Sequence, residues 1–325
     1  MKNNIKKLPI NKIFEKIFEK FNPKEIKSII LIGSASRNEL TTHIGKFNES
    51  SISDIEISVF LKSFFLAIRL KKKKFYIKID KYDIEILFTH ILFYKFLRTP
   101  LVYDLKTTGK ILWGKDIRKS IWINNPKQIP FWEGVRLLYN RLIPFEVLLW
   151  KYVNNLPIKK KEEYNHTKLL IAVGEFLMIR DGVFYSSYKD KLNYFEKYSN
   201  SQNKIINQVI NALKFKLNYD NIFDNLKTIE FTCFLVYEIL TKINPKLDSF
   251  RIPLSINIFK YLKRIEKRDL KKFFSGLRII EIYKSAFQYL ECYKNYPEKF
   301  LEYGKEIQNL VTDWKECLEI QSSFI

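Results

Sequence analysis

The chain has 325 residues, 46% of them hydrophobic, and carries 57 Lys and Arg against 35 Asp and Glu, a net charge of +22. These proportions exclude a disordered chain and suit two domains of ordinary size. No run reaches the roughly 18 apolar residues of a membrane span, and Met1 to Pro9 lacks the apolar core of a secretory signal, so a cytoplasmic protein without a membrane partner is expected.

The first element is a helical stripe, with Ile10, Ile13, Phe14, Ile17, Phe18 and Phe21 at helical spacing, ending before Pro23. Ile29 to Ile32 follows as an unbroken branched run that stops at Gly33, the pattern of a strand buried on both faces. Gly33-Ser34 then offers a residue without Cβ, exposed amides and a hydroxyl, which suits a phosphate. After a polar connector, Asp54, Glu56 and Ser58 alternate with Ile55, Ile57 and Val59 as a second strand. Carboxylates at i and i+2 on a strand lie about 6–7 Å apart at Cα, so both reach one small volume where a divalent cation fits.

Gly33-Ser34, a spacer and Asp54-Ile55-Glu56-Ile57 resemble the signature of the nucleotidyltransferase superfamily that includes DNA polymerase β, poly(A) polymerases and aminoglycoside nucleotidyltransferases. Ser36 to Thr41 and Ser53 are similar to the version in stand-alone bacterial and archaeal members, with Asn38 where a glycine is usual. Asn tolerates a left-handed turn, so the exchange is mild. The resemblance implies an α+β chain: a polymerase-β-like nucleotidyltransferase domain over residues 1–125, then an all-helical bundle over 130–325 that closes on the cleft. It also implies transfer of an NMP from an NTP, ATP first, to an acceptor hydroxyl with two Mg²⁺ ions. Asp54 and Glu56 would be metal ligands and catalytic, and Gly33, Ser34 and Arg37 would bind nucleotide.

Leu61 to Leu70 reads as a short helix, Lys71 to Lys74 as a solvated turn, and Phe75–Ile79 with Asp83–Phe88 as a hairpin about Asp80-Lys81-Tyr82. The superfamily places a third carboxylate on a neighbouring strand, as metal ligand and acceptor of the incoming hydroxyl's proton. Asp83 and Glu85 share a strand face; Glu85, bracketed by Ile84 and Ile86, is the choice, with Asp83 against the turn as the alternative. Gly109 to Gly114 looks like the last strand of such a domain, and Asn124-Asn125-Pro126 with Pro130 breaks the chain.

Beyond Phe131 the pattern is helical: Trp132 to Tyr152, Glu162 to Arg180, Lys204 to Leu217, Leu226 to Ile243, Ile256 to Lys267, Leu270 to Tyr293 and Pro297 to Ile320. Tyr164, Lys168 and Glu175 fall on one face of the second of these, where Lys168 would meet a triphosphate as helical-domain lysines do in similar enzymes. His43, His90 and His166 form no spaced ligand pair, and Cys233, Cys292 and Cys317 signal neither zinc nor a disulfide framework.

The acceptor cannot be read; small molecules, proteins and RNA all serve in the superfamily. The charge favours polyanions, although a chain rich in Lys, Ile, Asn, Phe and Tyr is also what an AT-rich genome imposes. A non-catalytic, antitoxin-type regulatory member that keeps the pocket is the alternative, and a basic RNA-binding scaffold a third reading.

Overall fold

The strand from Ile26 to Ile32 (β1) is apolar at nearly every position and is buried on both faces, which places it inside a sheet. In the computed structural model, which describes residues 8–40, 42–44, 49–51, 55–70, 75–80, 82–198, 204–217, 228–243 and 270–322, the fold is α+β and mostly helical with a five-stranded mixed sheet. Preceding β1 is helix α1 (Ile10–Phe18), and following it a single helical turn, α2 (Gly33–Ser36). A two-stranded ribbon, β2 (Thr42–Ile44) with β3 (Glu49–Ser51), occupies part of what reads in sequence only as a polar connector. Then come β4 (Ile55–Leu61), α3 (Phe64–Leu70), β5 (Phe75–Ile79), β6 (Tyr82–Thr89), α4 (Leu92–Lys95), α5 (Pro100–Thr108) and β7 (Lys110–Gly114).

The sheet order is β5-β6-β4-β1-β7. β1 runs antiparallel to both β4 and β7, β4 and β6 are parallel, and β5 closes the edge antiparallel to β6. The parallel pair needs a crossover, which α3 and β5 supply. Period-two alternation sorts the side chains: Ile29, Leu31, Ile57, Val59, Ile84 and Ile86 pack under α1 and α3, whose Ile13, Ile17 and Ala67 are buried against them. On the opposite face Ile30, Ile32 and Phe60 meet Tyr94 of α4 and Val102 and Leu105 of α5. Each such side chain taken fully from water contributes about 1.5–3 kcal/mol. α5 starts where Thr99 Oγ1 accepts from Val102 N–H at 3.3 Å and Pro100 fills the first turn.

The described elements beyond residue 130 are helical: α6 (Phe131–Val153), α7 (Lys160–Arg180), α8 (Tyr188–Tyr198), α9 (Lys204–Lys216), α10 (Ile229–Ile243), α11 (Leu270–Asn295), α12 (Pro297–Phe300) and α13 (Gly304–Ser322). Leu138, Leu142, Phe145 and Leu149 form the buried stripe of α6, met by Leu169, Leu170 and Val173 of α7 and Tyr283, Ala286 and Leu290 of α11. Gly304 lets α13 start hard against Trp150, because a Cβ there would collide with the indole, whose Nε1 donates to the Leu301 carbonyl at 3.2 Å. Ile179 and Phe184 leave this core for that of the sheet, joining Ile30, Ile32 and Phe60. No described helix is long and apolar enough to cross a membrane.

The structure corrects several boundaries. α1 stops at Phe18, three residues before Phe21, and α3 begins at Phe64 because Leu61 still belongs to β4. Helix α8 is absent from the sequence reading. The expected helix from Ile256 to Lys267, the Lys71 to Lys74 turn and Asp54 lie outside the described residues.

Candidate active site

The turn after β1 is built from local bonds. Gly33 adopts φ +67° and Asn38 φ +61°, so glycine supplies one left-handed position and Asn the other, as its side chain permits. Ser36 Oγ donates to the Gly33 carbonyl at 2.8 Å, and the Ser34 carbonyl accepts from Arg37 N–H at 3.2 Å and Glu39 N–H at 2.9 Å.

The absence of a side chain at Gly33 matters for its neighbour. β1 and β4 pair Ile32 with Glu56, and a Cβ on Gly33 would stand 2.6 Å from Glu56 Oε2. The carboxylate lies directly over the turn. β4 and β6 pair Glu56 with Glu85, and in-register residues on parallel neighbours, about 4.8 Å apart, project from the same face. Asp83 shares that face one pleat nearer the hairpin, opposite Lys78 of β5. Beneath them Tyr94 is buried against Phe60, rings 5.5 Å apart; burial, helped by the Glu56 charge, pushes its hydroxyl up to about 12, so it stays protonated.

Glu56 and Glu85 are hard oxygen donors beside a turn that admits close approach, a donor set that fits Mg²⁺. Among the described residues no three His, Cys, Asp or Glu side chains converge as a metal site. Asp54, the remaining expected ligand, precedes the first described residue of β4.

Arg37 is only 6% exposed in its side chain and faces protein. Its Nε donates to Glu39 Oε2 at 2.8 Å, Nη1 lies 3.5 Å from Asp104 Oδ2, and the guanidinium stands 5.1 Å from the Tyr188 ring. Glu39 in turn caps α8 from a distance: it accepts from Ser187 Oγ at 2.8 Å, Tyr188 N–H at 3.1 Å and Lys189 N–H at 3.2 Å. Arg37 and Glu39 therefore weld the Gly33 turn to the helical half. Burial pushes the Asp104 carboxyl up to about 6, against the pull of Lys191 and Arg37.

Lys168 lies half-buried with its ammonium 5.0 Å from the Tyr164 ring. Lys216 approaches the same ring at 5.4 Å and Tyr188 at 5.2 Å, while Lys191 sits 4.8 Å from Tyr188 and pairs with Glu175 at 2.5 Å. The face of α7 bearing Tyr164, Lys168 and Glu175 thus adjoins the start of α8, where Arg37 also reaches. Glu39 stands inside the segment Ser36 to Thr41 without a role assigned by sequence; Asp104, Lys191 and Lys216 carry no sequence signal, because a lone Lys or Asp on a helix reads as solvated surface. The chain matches no protein-family model and no curated protein.

Proposed function

We propose that the protein is a nucleotidyltransferase with a polymerase-β-like catalytic domain, moving an NMP from an NTP, ATP first, to an acceptor hydroxyl. The observation that carries this reading is the Glu56 carboxylate over Gly33 with Glu85 in register beside it. The antiparallel β1–β4 and parallel β4–β6 pairings support it, since they bring the Gly-Ser turn and carboxylates from two strands to one end of the sheet.

In the proposed reaction the acceptor oxygen bonds to the α-phosphorus, the bond to the β-phosphate bridge breaks and pyrophosphate leaves. Asp54, Glu56 and Glu85 would hold two Mg²⁺ ions, which when bound neutralise the triphosphate and acidify the acceptor hydroxyl. Glu85 takes that hydroxyl's proton. Gly33 lets the phosphates approach the backbone, and the Ser34 hydroxyl donates to them. Lys168 reaches the triphosphate as a point charge. Arg37, held by Glu39 and Asp104, serves the nucleotide by fixing the turn.

The test is incubation with Mg²⁺ and each α-labelled NTP, then with cell extract split into small molecules, RNA and protein. Label from one NTP is expected in one fraction. Nucleotide binding without transfer to any fraction would contradict the enzyme and leave a binding protein.

A further inference from the structure

Two large aromatic side chains are left in water side by side on the sheet half of the molecule. Trp122 is 60% exposed and Phe96 42%, and their rings meet edge to face at 4.5 Å. The Lys95 ammonium stands 5.2 Å from the Trp122 ring and 5.4 Å from Phe96. The arrangement is braced: the Trp122 backbone N–H donates to the Lys95 carbonyl at 3.0 Å, and α4, which precedes Phe96, is anchored by Tyr94 on Phe60. α4 packs on the sheet face that carries Glu56 and Glu85.

The segment that carries both rings is one-sided in charge. Residues 91–128 contain eight Lys and Arg and two Asp. Both acids are engaged, Asp104 beside Arg37 and Asp116 with Arg118, whose Nε and Nη2 donate to it at 2.9 and 2.8 Å. Arg98, Lys115 and Lys119 are exposed.

An exposed indole braced by a second ring and an ammonium, on a basic segment, has the chemistry that stacks an unpaired base and holds its phosphates. A duplex hides its base faces from such a ring. A second copy of the chain would bring +22 against +22.

We propose that Trp122, Phe96 and Lys95 form a docking platform for a single-stranded polynucleotide, with a base on the Trp122 ring and phosphates against the surrounding cations. The platform shares no residue with the Gly33 turn, and its test reads binding alone.

Anisotropy of a short labelled single-stranded RNA of mixed sequence, titrated with the full chain at rising salt, tests this. Wild type binds with log affinity falling linearly in log salt. Trp122→Ala weakens binding about tenfold at every salt concentration and leaves the slope unchanged, because stacking releases no counterions. Trp122→Phe keeps most of the affinity, and Lys95→Gln lowers the slope by about one. The thermal midpoints of all three variants stay with wild type. The proposal is overturned if wild type does not bind, if Trp122→Ala binds as wild type does, if a duplex of the same sequence binds as tightly, or if Trp122 governs binding to phosphatidylserine vesicles and not to RNA.

Discussion

Glu56 shows how much depends on one residue's setting: it is the exposed position of β4, on a face whose next residues, Ser58 and Phe60, are fully buried, and it lies over a glycine that cannot crowd it. Glu146 shows the opposite. It is fully buried in α6, and among the described residues neither of its oxygens has a hydrogen-bond partner, so burial raises its carboxyl well above the ordinary value. The folded state therefore holds a proton that the unfolded chain releases near pH 4.5, and stability falls as pH rises above that value until the folded carboxyl also ionises. Denaturation curves from pH 5 upward should show this loss, about 1.4 kcal/mol per pH unit while only the unfolded carboxyl ionises. Glu146→Gln should remove that part of the slope; an unchanged pH dependence would mean that Glu146 is ionised and paired in the fold. The Gly33 turn and the Asn38 conformation were legible in sequence because both are set by neighbours a few positions away. Arg37 was not. Its partners Asp104 and Tyr188 are brought to it by the fold, and a motif cannot say which way a guanidinium points.

At the scale of elements, strands and long helices were readable from their periodicity, since each buries one face or both. Helix α8 was missed because Tyr188-Lys-Asp-Lys-Leu opens on polar residues, and its N-terminus takes its cap from Glu39, about 150 positions earlier. Ser187 adds a local cap, accepting from Asp190 N–H at 3.2 Å. Glu39→Ala removes a charged acceptor from three donors of the helical half and from Arg37, which should lower stability by about 1–3 kcal/mol. Thermal unfolding checks this, and a midpoint equal to wild type would show that solvent caps α8 equally well. On α7, the same face that buries Tyr164 and pairs Glu175 carries Lys168. If Lys168 meets phosphate, Lys168→Ala should weaken NTP binding by about 1–3 kcal/mol while leaving nucleoside binding unchanged. Equal, negligible losses in calorimetry would leave Lys168 without a part in nucleotide binding.

For the whole molecule, the chain changes character where sequence suggested: the sheet ends at Gly114 and the first long helix starts at Phe131. What sequence could not convey is how the halves join. Ile179 and Phe184 enter the sheet's own core, and Arg37 and Glu39 tie the candidate phosphate turn to α8. The Gly33 turn and the helical half are consequently joined directly through residues 33–39. In the proposed reaction Asp54 and Glu56 serve a nucleotidyl transfer at this turn. Its most direct test compares transfer of labelled NMP by wild type and by the Asp54→Ala, Glu56→Ala double variant, with circular dichroism of both. Loss of transfer by orders of magnitude at unchanged helicity is expected, because Glu56 is exposed and the core beneath it is untouched; a double variant that transfers at the wild-type rate would contradict the proposed reaction.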